Sequence, residues 1–185
     1  RGISLKHIYL IRHCKAAGQE PGAQLTAEGH AEAELLANFL IEKQIDYIVS
    51  SPYDRAISTI QPLAQKHKLK INVDDRLRER VLSAYELDNW MERLKETYQD
   101  LDIALPGGES SREAMNRGVS AIEELLVRTE RNLVVVTHGN LMSLILKYYD
   151  DQYGFDEWRG LTNPDVYEIV VDNDGVKPNI NRIWK

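Results

Sequence analysis

The chain has 185 residues, 43% of them hydrophobic and 28% charged, a globular balance that excludes a disordered polypeptide and predicts one well-buried core in a single domain, residues 1–185. No apolar stretch approaches the roughly 18 residues of a membrane span, so no membrane partner is expected, and a formal net charge of -6 argues against broad nucleic-acid binding. The single cysteine, Cys14, excludes an intrachain disulfide and fits a reducing cytoplasm.

Residues 5–12 read as a strand whose apolar run Ile8-Tyr9-Leu10-Ile11 ends in Arg12-His13-Cys14. Thr26 is expected to cap a helix in which Ala31, Leu35, Leu36, Phe39 and Leu40 recur at helical spacing. Tyr47-Ile48-Val49 reads as a short buried strand. Ser51-Pro52 then predicts an N-cap with proline in the first helical position, followed by a helix that turns Ile57, Ile60, Leu63 and Ala64 to the core. Ile71-Asn72-Val73 has the pattern of a weak strand. From Ser83 to Asp100 the stripe Leu87, Trp90, Met91, Leu94 and Tyr98 predicts an inserted helical segment with no neighbouring strand.

Beyond the loop Pro106-Gly107-Gly108, Ser110 and Glu113 fit a capping box for a helix running to about Arg128. A strand over 132–137 follows, then a helix from about Asn140 to Tyr149, an irregular stretch over 150–164 and a strand over 166–172. A turn at Asn173-Asp174-Gly175 and a last strand near 179–184 complete the chain. Strands alternating with helices predict a mostly parallel sheet covered on both faces.

Two apolar runs each end in a histidine, His13 after the first strand and His138 after Leu133-Val134-Val135-Val136-Thr137. Ligands of open α/β sheets bind beyond the carboxyl ends of the strands, so both imidazoles point to one pocket. Arg55 falls in a first helical turn, where the helix dipole opposes a cation unless an anion is bound, and helix N–H groups with a guanidinium make a phosphate site. The alternative is an ion pair of Arg55 with Asp54 or Glu79. Gly139, between His138 and the next helix, would let a ligand approach the backbone. Arg76, Arg78 and Arg80 are either surface partners of Asp74, Asp75 and Glu79 or a small basic pocket.

These motifs, taken together, resemble those of the histidine phosphatase superfamily, the phosphoglycerate mutase-like proteins. Leu10-Ile11-Arg12-His13, Leu25-Thr26-Ala27-Glu28-Gly29, Ser50-Ser51-Pro52-Tyr53-Asp54-Arg55-Ala56, Leu77-Arg78-Glu79, Gly108-Glu109-Ser110, Thr137-His138-Gly139 and Asn163 follow in the family's order. The resemblance implies a three-layer α/β/α sandwich with a mostly parallel, mixed sheet, and a lid-like helical insertion at about 80–108. It implies His13 as nucleophile, Glu79 as proton donor, and Arg12, Arg55, His138 and Gly139 around the phosphate, with His138 protonated. The activity it implies is hydrolysis of a small phosphorylated metabolite through a phosphohistidine, with no metal and no cofactor.

Three features depart from the family pattern. Cys14 replaces a glycine and brings a side chain, oxidisable in principle, next to the nucleophile; Gln19 stands where an asparagine phosphate ligand is common; and Val81-Leu82-Ser83-Ala84-Tyr85 replaces a Gly-x-x-Glu-Gly continuation. The competing readings are mutase-type phosphoryl transfer and a non-catalytic phosphate-ester-binding regulator. A cysteine phosphatase would need an arginine six residues after Cys14, where Glu20 stands, and Asp172-Asn173-Asp174-Gly175-Val176 fits a hairpin turn better than a dehalogenase-type phosphatase motif. The sequence leaves the oligomeric state open.

Overall fold

The computed structural model describes residues 5–172 and 177–184. The elements are β1 (Leu5–Arg12), α1 (Ala27–Leu40), β2 (Tyr47–Ser50), α2 (Asp54–His67), β3 (Ile71–Val73), α3 (Trp90–Gln99), α4 (Ser111–Leu126), β4 (Asn132–Thr137), α5 (Gly139–Tyr149), α6 (Phe155–Arg159), β5 (Asp165–Asp172) and β6 (Asn179–Arg182). The strands form one mixed sheet in the order β3-β2-β4-β1-β5-β6. Strands β3, β2, β4 and β1 run parallel; β5 pairs antiparallel with β1, and β6 pairs antiparallel with β5 at the sheet edge.

Alternation along the central strands explains the three layers. Ile8 and Leu10 of β1, with Leu133 and Val135 of β4, face α4 and α5. Their neighbours Tyr9, Ile11, Val134 and Val136 face α1 and α2 on the other side. Each strand therefore needs apolar residues at both parities, which is why the runs read as continuous rather than alternating. The fold is the α/β sandwich that the sequence predicts.

The helix ends divide into expected and unexpected ones. Thr26 caps α1 by accepting from the Gly29 N–H at 3.0 Å, and Ser110 with Glu113 closes the capping box of α4. Ser51-Pro52 does not open α2, contrary to expectation. The helix begins at Asp54 behind Tyr53; the Ser51 hydroxyl lies 2.8 Å from His138 Nε2 and accepts from the Tyr53 N–H at 3.2 Å, which turns the chain ahead of the helix. The helix expected over 83–100 begins only at Trp90. Ser83 Oγ turns the chain by accepting from the Tyr85 N–H, and the Ala84 N–H donates to the Pro106 carbonyl, so this backbone is committed to a loop-to-loop contact. A short helix, α6, stands inside the stretch expected to be irregular. The turn expected at Asn173-Asp174-Gly175 lies outside the described residues.

Candidate active site

Strand register brings the two histidines together. Arg12 of β1 lies opposite Thr137 of β4, so His13 and His138 leave the sheet side by side, their ring centroids 5.0 Å apart. The His13 N–H donates to the Thr137 carbonyl at 3.2 Å and the Ser51 N–H to the Val136 carbonyl at 2.9 Å, which carries the β4 contacts past the strand ends. Strand β2, on the other flank of β4, delivers Ser51 and then Arg55 in the first turn of α2. Three adjacent strand ends thus supply the floor of one site.

The nucleophile candidate is fixed at both ring nitrogens. His13 Nδ1 lies 2.7 Å from the Cys14 carbonyl, which can only accept, so Nδ1 carries the proton and Nε2 keeps its lone pair. Arg55 Nε donates to that Nε2 at 3.3 Å, and Arg55 Nη1 donates to the Glu20 carbonyl at 2.7 Å. Neither Asp54 nor Glu79 is the hydrogen-bond partner of Arg55. Burial pushes the His13 pKa down to about 4, helped by the Arg55 and Arg12 charges and opposed by the Cys14 hydrogen bond. A neutral imidazole at physiological pH follows.

His138 is buried against Ser51 and the Tyr53 ring, whose centroid is 5.0 Å away. Burial first, then the neighbouring His13, Arg55 and Arg12, hold its pKa well below the usual histidine value. Burial therefore works against the protonated His138 that the family resemblance implies, and two neighbouring arginines disfavour a third cation. Its Nδ1 is buried without a hydrogen-bond partner among the described residues.

Gly139 serves a different neighbour from the one expected. A Cβ there would come within 2.9 Å of Arg12 Cζ and Nε, so the missing side chain seats the Arg12 guanidinium against the start of α5. Arg12 Nη1 donates to the Leu161 carbonyl at 3.2 Å while its Nε is buried without a partner among the described residues. Glu79 meets the same helix end. Its Oε1 accepts from the Leu141 N–H at 2.9 Å and the Arg80 N–H at 2.8 Å, and its Oε2 from the Asn140 N–H at 3.0 Å. An anion at a helix N-terminus satisfies otherwise free N–H groups, so Glu79 caps α5 besides lining the cleft.

The strap 76–79 that carries Glu79 is held by Arg117 of α4. Arg117 donates to the carbonyls of Arg76, Arg78 and Glu79 at 2.7, 2.8 and 3.3 Å, and its Nη2 grips Glu109 at 2.6 Å. Burial works against the Glu109 carboxylate, yet the Arg117 guanidinium holds its pKa below the usual range. The Thr137 hydroxyl adds a 2.6 Å bond to the Leu77 carbonyl, tying the strap to the end of β4.

The arginine triplet splits by destination. Arg76 forks onto Asp74 and Glu124, and Arg78 pairs with Asp75, both partly exposed. Arg80 turns inward, donating through Nε to the Glu109 carbonyl and through Nη1 to Asn140 Oδ1. Cys14 does not crowd the nucleophile. It is buried with Leu25 and Ala33, and burial raises its thiol to about 12, so it is neither exposed nor ionised for oxidation. Gln19 is exposed at the mouth of the cleft. Among the described residues no three His, Cys, Asp or Glu side chains gather as a metal ion would require.

Sequence reasoning gave no site role to Ser51, Arg117 or Asn163, although Ser51 and Asn163 stand in the motifs that carry the family resemblance. Asn163 Nδ2 donates to the His13 carbonyl at 3.0 Å, and its place before the late strand was the only signal available. Ser51 reads as a helix cap from sequence, and a mid-helix arginine such as Arg117 reads as solvated.

Comparison with known proteins places this geometry. Residues 8–182 match the family model of the histidine phosphatase superfamily (branch 1). A protein of Hydrogenobacter thermophilus named "Putative phosphoserine phosphatase 2" is 28% identical over 93% of this chain and 88% of its own length. One of Shigella dysenteriae named "Probable phosphoglycerate mutase GpmB" is 29% identical over 75% of this chain and 74% of its own. The solved structure of a mycobacterial glucosyl-3-phosphoglycerate phosphatase, in complex with VO3, superposes with a TM-score of 0.80 at 23% identity, covering 97% of this chain and 99% of that one. No described helix is long and apolar enough to cross a membrane.

Proposed function

The chain belongs to the histidine phosphatase superfamily, and from that premise we propose that it hydrolyses a small organic phosphomonoester through a phosphohistidine on His13. The carrying observation is His13 itself: an imidazole held neutral, its proton committed to the Cys14 carbonyl, its Nε2 free of any carboxylate and flanked by Arg55, Arg12 and His138.

In the first step Arg55 exchanges its bond to Nε2 for the phosphoryl oxygens, a better acceptor for a guanidinium. The Nε2 lone pair attacks phosphorus as the bond to the ester oxygen breaks. Arg12, Arg55 and an N–H of neutral His138 hold the equatorial charge, the main source of rate in phosphoryl transfer. A protonated Glu79, released from one of its N–H contacts, gives its proton to the departing alkoxide. In the second step water attacks phosphorus, Glu79 takes the water proton, and the electron pair of the broken P–N bond returns to Nε2. The cleft beside the site, lined by Arg12 and Glu79, is open to solvent, which supports hydrolysis over a mutase that must enclose its intermediate. Cys14, packed with Leu25 and Ala33, weakens one of the two reasons to read the chain as a silent binder, the other being the altered sequence after Glu79.

The test is inorganic phosphate release from a phosphomonoester panel, with His13→Ala measured beside the parent protein. The parent is expected to turn over several esters and His13→Ala to lose at least about a thousandfold in kcat, as removal of a covalent nucleophile does. Equal activity in the two would remove His13 from the reaction.

A further inference from the structure

Arg80 is 5% exposed, yet its Nη2 has no hydrogen-bond partner among the described residues. A buried guanidinium nitrogen left unpaired is costly, and its other two nitrogens are already committed to Glu109 and Asn140. The cleft that Arg80 lines has two lobes, of about 630 and 480 Å3, each in the size range of small-molecule sites. Arg80 borders both lobes, and in the larger it faces the carboxylates of Glu79, Glu86 and Asp88 with no second cation in the lining. The smaller carries Arg12 and Arg80 against Glu79 alone, together with Leu82, Trp90, Leu94, Asn140 and Trp158. A negative group is therefore favoured in the smaller lobe.

That lobe also has an unusual wall. Trp90 of α3 and Trp158 of α6 stand 6.5 Å apart at 90°, forming an aromatic corner, and Trp90 is 47% exposed although it borders Leu94 in the buried core. An indole face left open to a cleft binds flat apolar surfaces. We propose that the smaller lobe is a leaving-group subsite selecting phosphomonoesters whose alcohol combines a ring-sized apolar face, seated on the Trp90–Trp158 corner, with a carboxylate received by Arg80. This rests on the phosphatase reading above and narrows its substrate class.

The test uses four esters that separate ring from charge while keeping an alkyl oxygen as leaving group: ethyl phosphate, phosphoglycolate, benzyl phosphate and 4-carboxybenzyl phosphate. In the parent protein kcat/KM is expected to rise roughly tenfold for the ring and roughly tenfold again for the carboxylate, the range of one pocket contact and one charge-assisted hydrogen bond. Arg80→Gln should collapse the carboxylate ratio and leave the ring ratio, and Trp90→Ala should do the reverse. Arg80→Lys, retaining the charge, guards against a folding defect in Arg80→Gln, and Trp90, on an exposed face, tests the corner independently. Phosphate release at equal kcat/KM from all four esters, or preferences unchanged in the variants, overturns the subsite while the phosphatase reading stands. Release from none of them, with no phosphohistidine formed, overturns both.

Discussion

The floor of the site, where His13, Ser51 and His138 leave the sheet, rests on three neighbouring parallel strands joined by backbone hydrogen bonds up to their last residues. Its wall, residues 76–90 with α3, rests on side chains: Arg117 and Glu109 grip the strap, and the Tyr98 hydroxyl, 2.5 Å from Ser143 Oγ, pins α3 to α5. The sheet fixes the floor by register, which a surface substitution does not move. The wall is fixed by a few polar contacts, each of which one substitution removes. Chemistry common to a phosphatase family suits the first kind of support, and substrate choice suits the second.

Substitution of the floor should leave the fold and remove the rate. Arg55→Ala is expected to lower kcat about 100- to 1000-fold, the cost of deleting one preorganised donor to a transition-state oxygen. Arg55→Lys should recover little of it, since an ammonium does not reproduce the guanidinium fork. A denaturant midpoint close to the parent's would assign the loss to chemistry; a collapsed midpoint would mean that the bonds to Glu20 and His13 are mainly structural.

Substitution of the wall should do the opposite. Arg117→Met leaves the Glu109 carboxylate and three strap carbonyls without their donor, a partly buried loss of about 3 kcal/mol. Urea unfolding measures that cost. Fluorescence of Trp90 should shift as the strap loosens, while phosphate affinity at the floor is retained. Unchanged stability would show that Arg117 is not the clamp.

The smallest effect distinguishes the floor by pH. The folded His13 pKa is depressed to about 4, whereas the unfolded chain titrates near ~6.5. Between these values the unfolded state binds more protons, so stability is complete above ~6.5 and falls as pH is lowered, by up to about 1.4 kcal/mol per pH unit for this residue. His138, also depressed, adds in the same direction. Comparing denaturant midpoints at pH 7 and pH 5 in the parent and in His13→Ala should show a shallower decline in the variant. Identical slopes would contradict the buried, neutral nucleophile.

How much of this could be read from sequence follows the same division. His13 and His138 are legible because each closes an apolar run, and a parallel strand's end is where a sheet presents its ligands. Arg55 is legible because a cation in a first helical turn is unfavourable without an anion. Ser51 is not, because a serine before proline has the pattern of a cap and its true partner lies 87 positions away. Gly139 is legible as a close approach but not as a seat for Arg12, since that contact joins two strand ends. Along the wall the stripe over 83–100 was visible, whereas the helix start at Trp90 depended on contacts between residues 83–85 and Pro106. Trp158 lay in a stretch with no period to read, and its pairing with Trp90 exists only in three dimensions.

The most direct measurement of the central claim is acid-free quenching of the protein during turnover of a phosphomonoester, followed by peptide mass spectrometry. A phosphoryl group on the peptide carrying His13, formed and lost at the rate of phosphate release and missing in His13→Ala, is the predicted result. Turnover with no such adduct, or an adduct on another residue, would contradict it.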